Sequence, residues 1–570
     1  MKQCSELDFF QLEAPDFIAI RKQVIKSKLE LAREGQYINI SQLVSRLVCA
    51  LVPILNEFHE VEHEAHYWGI LLGCWLSYYS VIIKTHCEFL EKILKKTDQK
   101  KIKIMSLNHS DCRVPQDSSD FFYLIKEPAY HLQIYHMIAQ QLGLDLEVFQ
   151  DEDFPNLNPP KNKFAASKQR IFFSNIFCFL FRKRKKILLF SPYLPQAVRI
   201  KFFLRSLGAI FEAPKWLFNE SVDHANIFFS KEKRAVLARE LKWQPENEFE
   251  KILGRLVFSE MPMVFLESFK IYETRAQALV RQFGRVSGVL SAGGGFWEND
   301  VFKQYTALIQ EQGAKVYGMQ HGGNYGVTLP VVGMRYEYSI ADKFFTWGWS
   351  GSGHDLDAGR FYPMTLSKQV GLPFYSKKNK RTNSFLFPLI VWPAVGEEIS
   401  FESFLEDQCE FLNGLSLDLR RKTLVRPHHE DLGWGIRDRL LSNFPDLTID
   451  SWAEPFLKRL ANCELFICGH LATTHVEALA MNVPTILFWR KEFVLLSDEA
   501  EPYYEDLVRV GVLFYDPKAA AEAVNSIYPN IDQWWENKER QDAVKNVVNK
   551  FARRAVDEEK IWYRTLRSLV

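Results

Sequence analysis

The chain has 570 residues, 47% apolar and 25% charged, with a formal net charge of +1. Those values describe a folded chain of two or three domains and give no electrostatic ground for a nucleic-acid partner. Nine cysteines, an odd number with no CxxC pair, argue against a zinc ribbon or a secreted disulfide framework and fit a reducing cytoplasm.

The N-terminus, MKQCSELDFF, has no basic-then-apolar leader pattern. Residues 1–105 read as a helical region. Within it, residues 66–83 (HYWGILLGCWLSYYSVII) carry no Asp, Glu, Lys or Arg, at the short limit of a membrane span. The Gly, Ser, Tyr and His among them favour a buried helix. Residues 105–165 are mixed and end in FPNLNPPKNK, a linker or surface crossing. Residues 171–186 (IFFSNIFCFLFRKRKK) set a mostly apolar run before five consecutive cations. That pairing suits peripheral contact with the anionic inner membrane, and equally a solvated charge run.

From residue 186 short aliphatic runs alternate with helix-length segments, the signature of parallel sheets covered by helices. The runs predict strands at 186–190, 225–229, 287–292 and 314–319, with a helix at 299–312. A second set follows, with strands at 384–391, 422–426, 464–468, 484–488 and 511–514. Helices fit at 401–414, 435–442, 473–482, 500–509 and 517–527. The chain thus divides into a helical region (1–105), two Rossmann-like domains (106–345 and 346–535) facing a cleft, and C-terminal helices (536–570).

In open parallel sheets ligands lie at the carboxyl ends of strands, so the loops there are the candidates. After strand 287–292 come three glycines, then Glu298 and Asp300. Either carboxylate could act as base or nucleophile, and either could cap the next helix. The sequence is not GxGxxG, so no dinucleotide cofactor is indicated, nor any other. The next loop, GMQHGGNYG, holds Gln320, His321, Gly322 and Gly323. Its glycines allow a tight bend or close approach of backbone to substrate, and His321 is suited to proton transfer. Trp347 and Trp349 read as packing rather than as a stacking platform.

The loop after 422–426 holds Arg426, a phosphate or carboxylate donor, and His428, able to donate to a leaving phosphate. Adjacent residues point different ways, so the HHED run is a poor metal site. After strand 464–468 come His470, Thr473, Thr474 and Glu477. Two hydroxyls at a helix N-terminus make either an anion site or ordinary caps, and Glu477, one turn on, could accept hydrogen bonds from a ribose.

HYWGILLGCWLSYYSVIIKTHCEFL, MPMVFLESF, GAKVYGMQHGGNYG, SIADKFFTWGW, RPHHEDLGWGIRDRLLSNFP and CGHLATTHVEALAMNVPTILFWRKE resemble segments of a family of bacterial transferases encoded with surface-polysaccharide genes. The tandem halves are similar to GT-B glycosyltransferases, and the family is distantly similar to Kdo transferases of capsule and O-antigen assembly. The resemblance implies metal-independent glycosyl transfer from a nucleotide sugar, CMP-linked by preference, to a saccharide or lipid-linked acceptor. It implies that the first domain takes the acceptor, with Glu298, Asp300 and His321 facing the reacting carbon. The second would hold the nucleotide through His428, Thr473, Thr474 and Glu477. A nucleotide-sugar epimerase, a polyol-phosphate transferase and a non-catalytic scaffold of an assembly complex are the alternatives.

Overall fold

The structure, a computed structural model, describes residues 36–96, 103–105, 112–144, 147–149, 178–219, 227–351, 358–372, 384–390, 398–431 and 434–570. Helices Gln36–His59 and Ala65–Lys96 open the described chain. Asn56 fixes the turn between them. Its Oδ1 accepts from Trp68 Nε1 at 2.8 Å and its Nδ2 donates to the His63 carbonyl at 2.9 Å. The charge-free stretch of the second helix is buried, with Tyr67, Trp68, Leu72 and Tyr79 fully covered. The first helix, over 39–59, is long and apolar enough to cross a membrane by composition alone, but Leu47, Leu51 and Leu55 are likewise buried in this core.

A two-stranded parallel sheet pairs β1 (Lys103–Met105) with β2 (Glu147–Phe149). Two six-stranded sheets, parallel throughout, follow. The first contains β3 (Lys186–Phe190), β4 (Ile210–Glu212), β5 (Val286–Ser291), β6 (Lys315–Met319), β7 (Lys343–Thr346) and β8 (Phe361–Pro363), in the order β4-β3-β5-β6-β7-β8. The second contains β9 (Phe385–Pro388), β10 (Thr423–Arg426), β11 (Thr448–Ile449), β12 (Leu465–Cys468), β13 (Thr485–Phe488) and β14 (Leu513–Phe514), in the order β11-β10-β9-β12-β13-β14. KILLF, FLFP, LFIC and TILF are buried at every position, as strands covered on both faces must be. Each order reverses once, between β3 and β5 and between β9 and β12, and such switch points open crevices at the strands' carboxyl ends.

Several expectations shift. The described part of 225–229 is not a strand, and the first sheet takes its edge from β4, whose three residues are too short to show a period. The boundary expected at 345/346 falls inside the first sheet, because β8 pairs with β7 through Phe344–Phe361 and Thr346–Pro363. The C-terminal helices are Lys538–Phe551 and Glu558–Ser568. The last returns to the first domain, where Trp562 and Leu566 pack with Ile187, Leu189 and Phe345, and Trp562 Nε1 donates to Thr365 Oγ1 at 3.0 Å. The result is a GT-B-like architecture of two Rossmann-like domains, tied at both ends.

Candidate functional site

The loop after β6 reaches across to the second domain. The Gly323 N–H donates to Thr473 Oγ1 at 3.2 Å. A Cβ on Gly323 would lie 2.5 Å from the Ala472 carbonyl oxygen and 3.0 Å from Thr473 Cα, so only glycine allows this contact. Farther along, Leu329 N–H donates to the Leu495 carbonyl, and Ser497 Oγ donates to that of Gly326. The QHGG loop and the start of helix Thr473–Ala480 therefore form one continuous wall.

His321 sits in a ring of other groups. Its Nε2 is 2.6 Å from the Tyr325 hydroxyl and 3.1 Å from Glu337 Oε1, while the tyrosine donates to that same oxygen at 3.0 Å. Glu337 and Tyr325 are buried, and burial with the nearby carboxylate raises the Tyr325 hydroxyl far above its usual range. The network assigns the proton to Nε2 and leaves Nδ1 as the basic nitrogen. Tyr193 stacks on the imidazole at 6.0 Å and Trp297 meets it edge-on at 5.7 Å. Gly293, at φ +43°, leaves the room: a Cβ there would be 2.4 Å from His321 Nε2.

Tyr193 follows β3 at the first sheet's switch point. It and Ser191 adopt positive φ (47° and 49°), an uncommon backbone for side-chain-bearing residues. Lys368 Nζ lies 5.1 Å above the Tyr193 ring and 3.7 Å from Glu477 Oε1. Burial raises the Glu477 carboxyl pKa, and Lys368 opposes that shift.

The predicted donor loop divides. Thr473 is engaged by Gly323, and Thr474 Oγ1 lies 3.5 Å from His470 Nε2. Neither threonine caps the helix. His475 Nδ1 accepts instead from the Ala472 N–H at 3.3 Å, and its Nε2 pairs with the Tyr504 hydroxyl at 2.8 Å. His470 is buried, with its pKa lowered to about 3 by desolvation, so it stays neutral. Ala472, the N-cap residue, supplies no side-chain cap of its own.

Four predicted residues do different work. Asp300 is buried away from the cleft: its carboxylate accepts from the Ser118 N–H at 2.8 Å and hydroxyl at 2.7 Å, and pairs with Lys303 at 2.6 Å. Its place at the start of a helix turned it into the core. Arg426 pairs with Asp450 at 2.5 Å and its guanidinium covers one face of Trp452 at 4.0 Å, so it is not directed at a phosphate. Gln320 ties its loop to the one after β7, with Oε1 accepting from Trp347 N–H and Trp349 Nε1 at 2.8 Å each, while its Nε2 donates to the Gly322 carbonyl at 2.9 Å. Gly322 turns the loop, a Cβ there meeting Asn324 Oδ1 at 2.7 Å. Glu298 is exposed on the Tyr193 side and His428 is half-buried, its pKa lowered by burial and by His429. Trp347 and Trp349 are buried, as packing requires.

Tyr193, Trp297, Tyr325, Glu337 and Lys368 line the same candidate site. The sequence reading missed all five: Tyr325 reads as part of the glycine bend, and the other four come from segments well separated from His321 in the chain. Trp452 is 42% exposed at φ +61°, an open ring at the carboxyl end of β11. Among the described residues no group of three or more His, Cys, Asp or Glu side chains is arranged to hold a metal ion.

Residues 23–566 match the model of the LIC12162 family of transferases. The chain belongs to that family. No curated relative matches it. Among solved structures, S. aureus MnaA with UDP is 11% identical, covering 64% of this chain and 95% of its own, with a TM-score of 0.36. The spinosyn rhamnosyltransferase SpnG with thymidine diphosphate is 11% identical over 67% and 99%, with a TM-score of 0.32. The glycosyltransferase SnogD of Streptomyces nogalater is 15% identical over 68% and 100%, with a TM-score of 0.33. The strand order, not these likenesses, carries the fold of this family member.

Proposed function

We propose that this transferase moves a sugar from a nucleotide sugar to a hydroxyl acceptor, a saccharide or lipid-linked saccharide of a bacterial surface polysaccharide. The observation that carries the reading is the His321–Glu337 pair, set against the N-terminus of helix Thr473–Ala480 from the other domain.

In this scheme the acceptor hydroxyl attacks the anomeric carbon and its proton passes to His321 Nδ1. Glu337 and Tyr325 hold the ring and stabilise the imidazolium. The bond from the anomeric carbon to the phosphate oxygen breaks, and its electron pair stays with the phosphate. Lys368 and the N–H groups of helix 473–480 stabilise that charge. Glu477 takes donor hydroxyls, and Trp452 offers a ring to the base or a sugar. A single displacement inverts the anomeric centre. Among donors, a CMP-linked ulosonate is the first to test, on the resemblance to Kdo transferases.

A thermal-shift series with CMP, CDP, UDP and GDP tests the nucleotide site, since a ligand bound only by the native state raises the melting temperature. One nucleotide should raise it, and less so in Glu477→Gln. No rise with any of the four would remove the nucleotide site from this scheme.

A further inference from the structure

We propose that the amino-terminal edge of the first sheet docks on an anionic lipid bilayer, leaving the cleft turned away from it. Residues 178–208 contain eight Lys or Arg and no Asp or Glu. Within them, apart from Tyr193 beside His321, five large apolar side chains stand in solvent: Phe179 (73% exposed), Leu180 (67%), Ile200 (52%), Leu204 (63%) and Leu207 (67%). Ile200 and Leu204 lie four apart on helix Gln196–Arg205, and Leu207 continues the stripe just past its end.

The two apolar segments are neighbours. Phe181 packs edge-on against Phe203 at 5.2 Å, and Arg184 Nη2 donates to the Ser206 carbonyl at 2.9 Å. Phe181 also covers Gly208, where a Cβ would come within 2.4 Å of its ring. Exposed Arg182, Lys183, Lys185 and Arg285 border Phe179 and Leu180 around one shallow groove. The other cations of the stretch are engaged. Lys186 is buried and donates to the Phe283 carbonyl, Arg199 pairs with Glu212, Lys201 with Glu559, and Arg205 stacks on Tyr563.

Aliphatic and aromatic side chains edged by cations match the boundary between acyl chains and anionic headgroups. A second copy on the same face would set cation against cation. The sequence placed such contact at 171–186. Its first part, 171–177, lies outside the described residues, and the surface argued here joins 179–185 to 200–207 instead.

Orientation follows from the parallel sheet. These residues lie at or before the starts of β3, β4 and β5, whereas His321 and Gly323 follow the end of β6. A bilayer at this edge leaves the cleft facing the aqueous side, so the acceptor arrives in solution or on a carrier long enough to reach it.

Co-sedimentation of the full chain with phosphatidylcholine vesicles, with and without phosphatidylglycerol, tests this without any substrate, so its result is independent of the glycosyl-transfer scheme. Binding is expected to the anionic vesicles alone and to weaken with salt. Leu204→Glu with Leu207→Glu, and separately Lys183→Glu with Lys185→Glu, should each weaken it at least roughly tenfold without lowering the melting temperature, since all four side chains are exposed. The proposal is overturned if wild type binds neither vesicle or binds both equally. Retained binding by both double variants overturns it too, as does a dimer in solution that the Leu204/Leu207 change dissolves.

Discussion

His321 Nε2 lies 3.1 Å from Glu337 Oε1, with the Tyr325 hydroxyl 2.6 Å from the same nitrogen. The proton on Nε2 is thereby fixed and the opposite nitrogen kept basic. Glu337→Gln should lower kcat by about 10²-fold with KM nearly unchanged. His321→Ala should cost more, on the order of 10³-fold. Steady-state kinetics over a pH series checks both. Equal losses in kcat and 1/KM would speak against a role in the chemical step.

Gly293→Ala should abolish turnover and lower stability by roughly 1–3 kcal/mol, since its backbone is left-handed and the added methyl would overlap His321. Gly323→Ala should part the loop from Thr473 and weaken nucleotide binding. Calorimetric titration of each purified variant gives the answer, and wild-type affinity in Gly323→Ala would show that the loop contact is not needed for the donor.

Lys368→Met should weaken nucleotide binding by about tenfold, more for a sugar nucleotide than for the nucleoside, because its charge faces the leaving phosphate in our scheme. Isothermal titration with the matched pair separates the two. An equal loss for nucleoside and nucleotide would assign Lys368 to holding Glu477 instead.

Asp300→Asn should destabilise the fold by about 3–5 kcal/mol by leaving Lys303 buried and unpaired, while kcat of the folded fraction stays near wild type. Denaturant unfolding with activity normalised to folded protein tests this. A loss of kcat without a loss of stability would restore Asp300 to the reaction.

Acid should destabilise the protein. Burial lowers the pKa of His59 and His475 to about 4 and of His470 to about 3, from the usual 6.5. Each is neutral in the fold, so the unfolded chain binds protons first as pH falls. Stability from these groups is fully present above about pH 6.5 and is lost below it, by about 2 kcal/mol for each at pH 5. Glu260 works against them, because burial raises its carboxyl to about 7 and the fold takes up a proton there first. Denaturant midpoints should fall from pH 7 to 5, and more steeply in Glu260→Gln. A flat profile in both proteins would contradict the assignment.

Much of the fold was legible because buried parallel strands leave unbroken apolar runs, as in KILLF and TILF. Helix 517–527 was placed to the residue. β1, β2, β4, β7, β8 and β11 escaped: each is only two to four residues long, and none lies in a longer apolar run of the kind that exposed β14 as GVLF. The His321 loop and the 473–477 helix were found from their strand-end positions. Glu337 could not be, since only helix Val332–Ile340 folding back under the loop brings it to His321. Asp300 and Arg426 have the right chemistry for catalysis, but their ion partners Lys303 and Asp450 draw them inward.

The most direct test is release of nucleotide from a panel of CMP-, UDP-, GDP- and dTDP-sugars by wild type and His321→Ala, with an acceptor present. Wild type should turn over one of these donors, and the variant should lose turnover while still binding its nucleotide. Full turnover in His321→Ala, or none of the donors being bound or consumed by wild type, would contradict it.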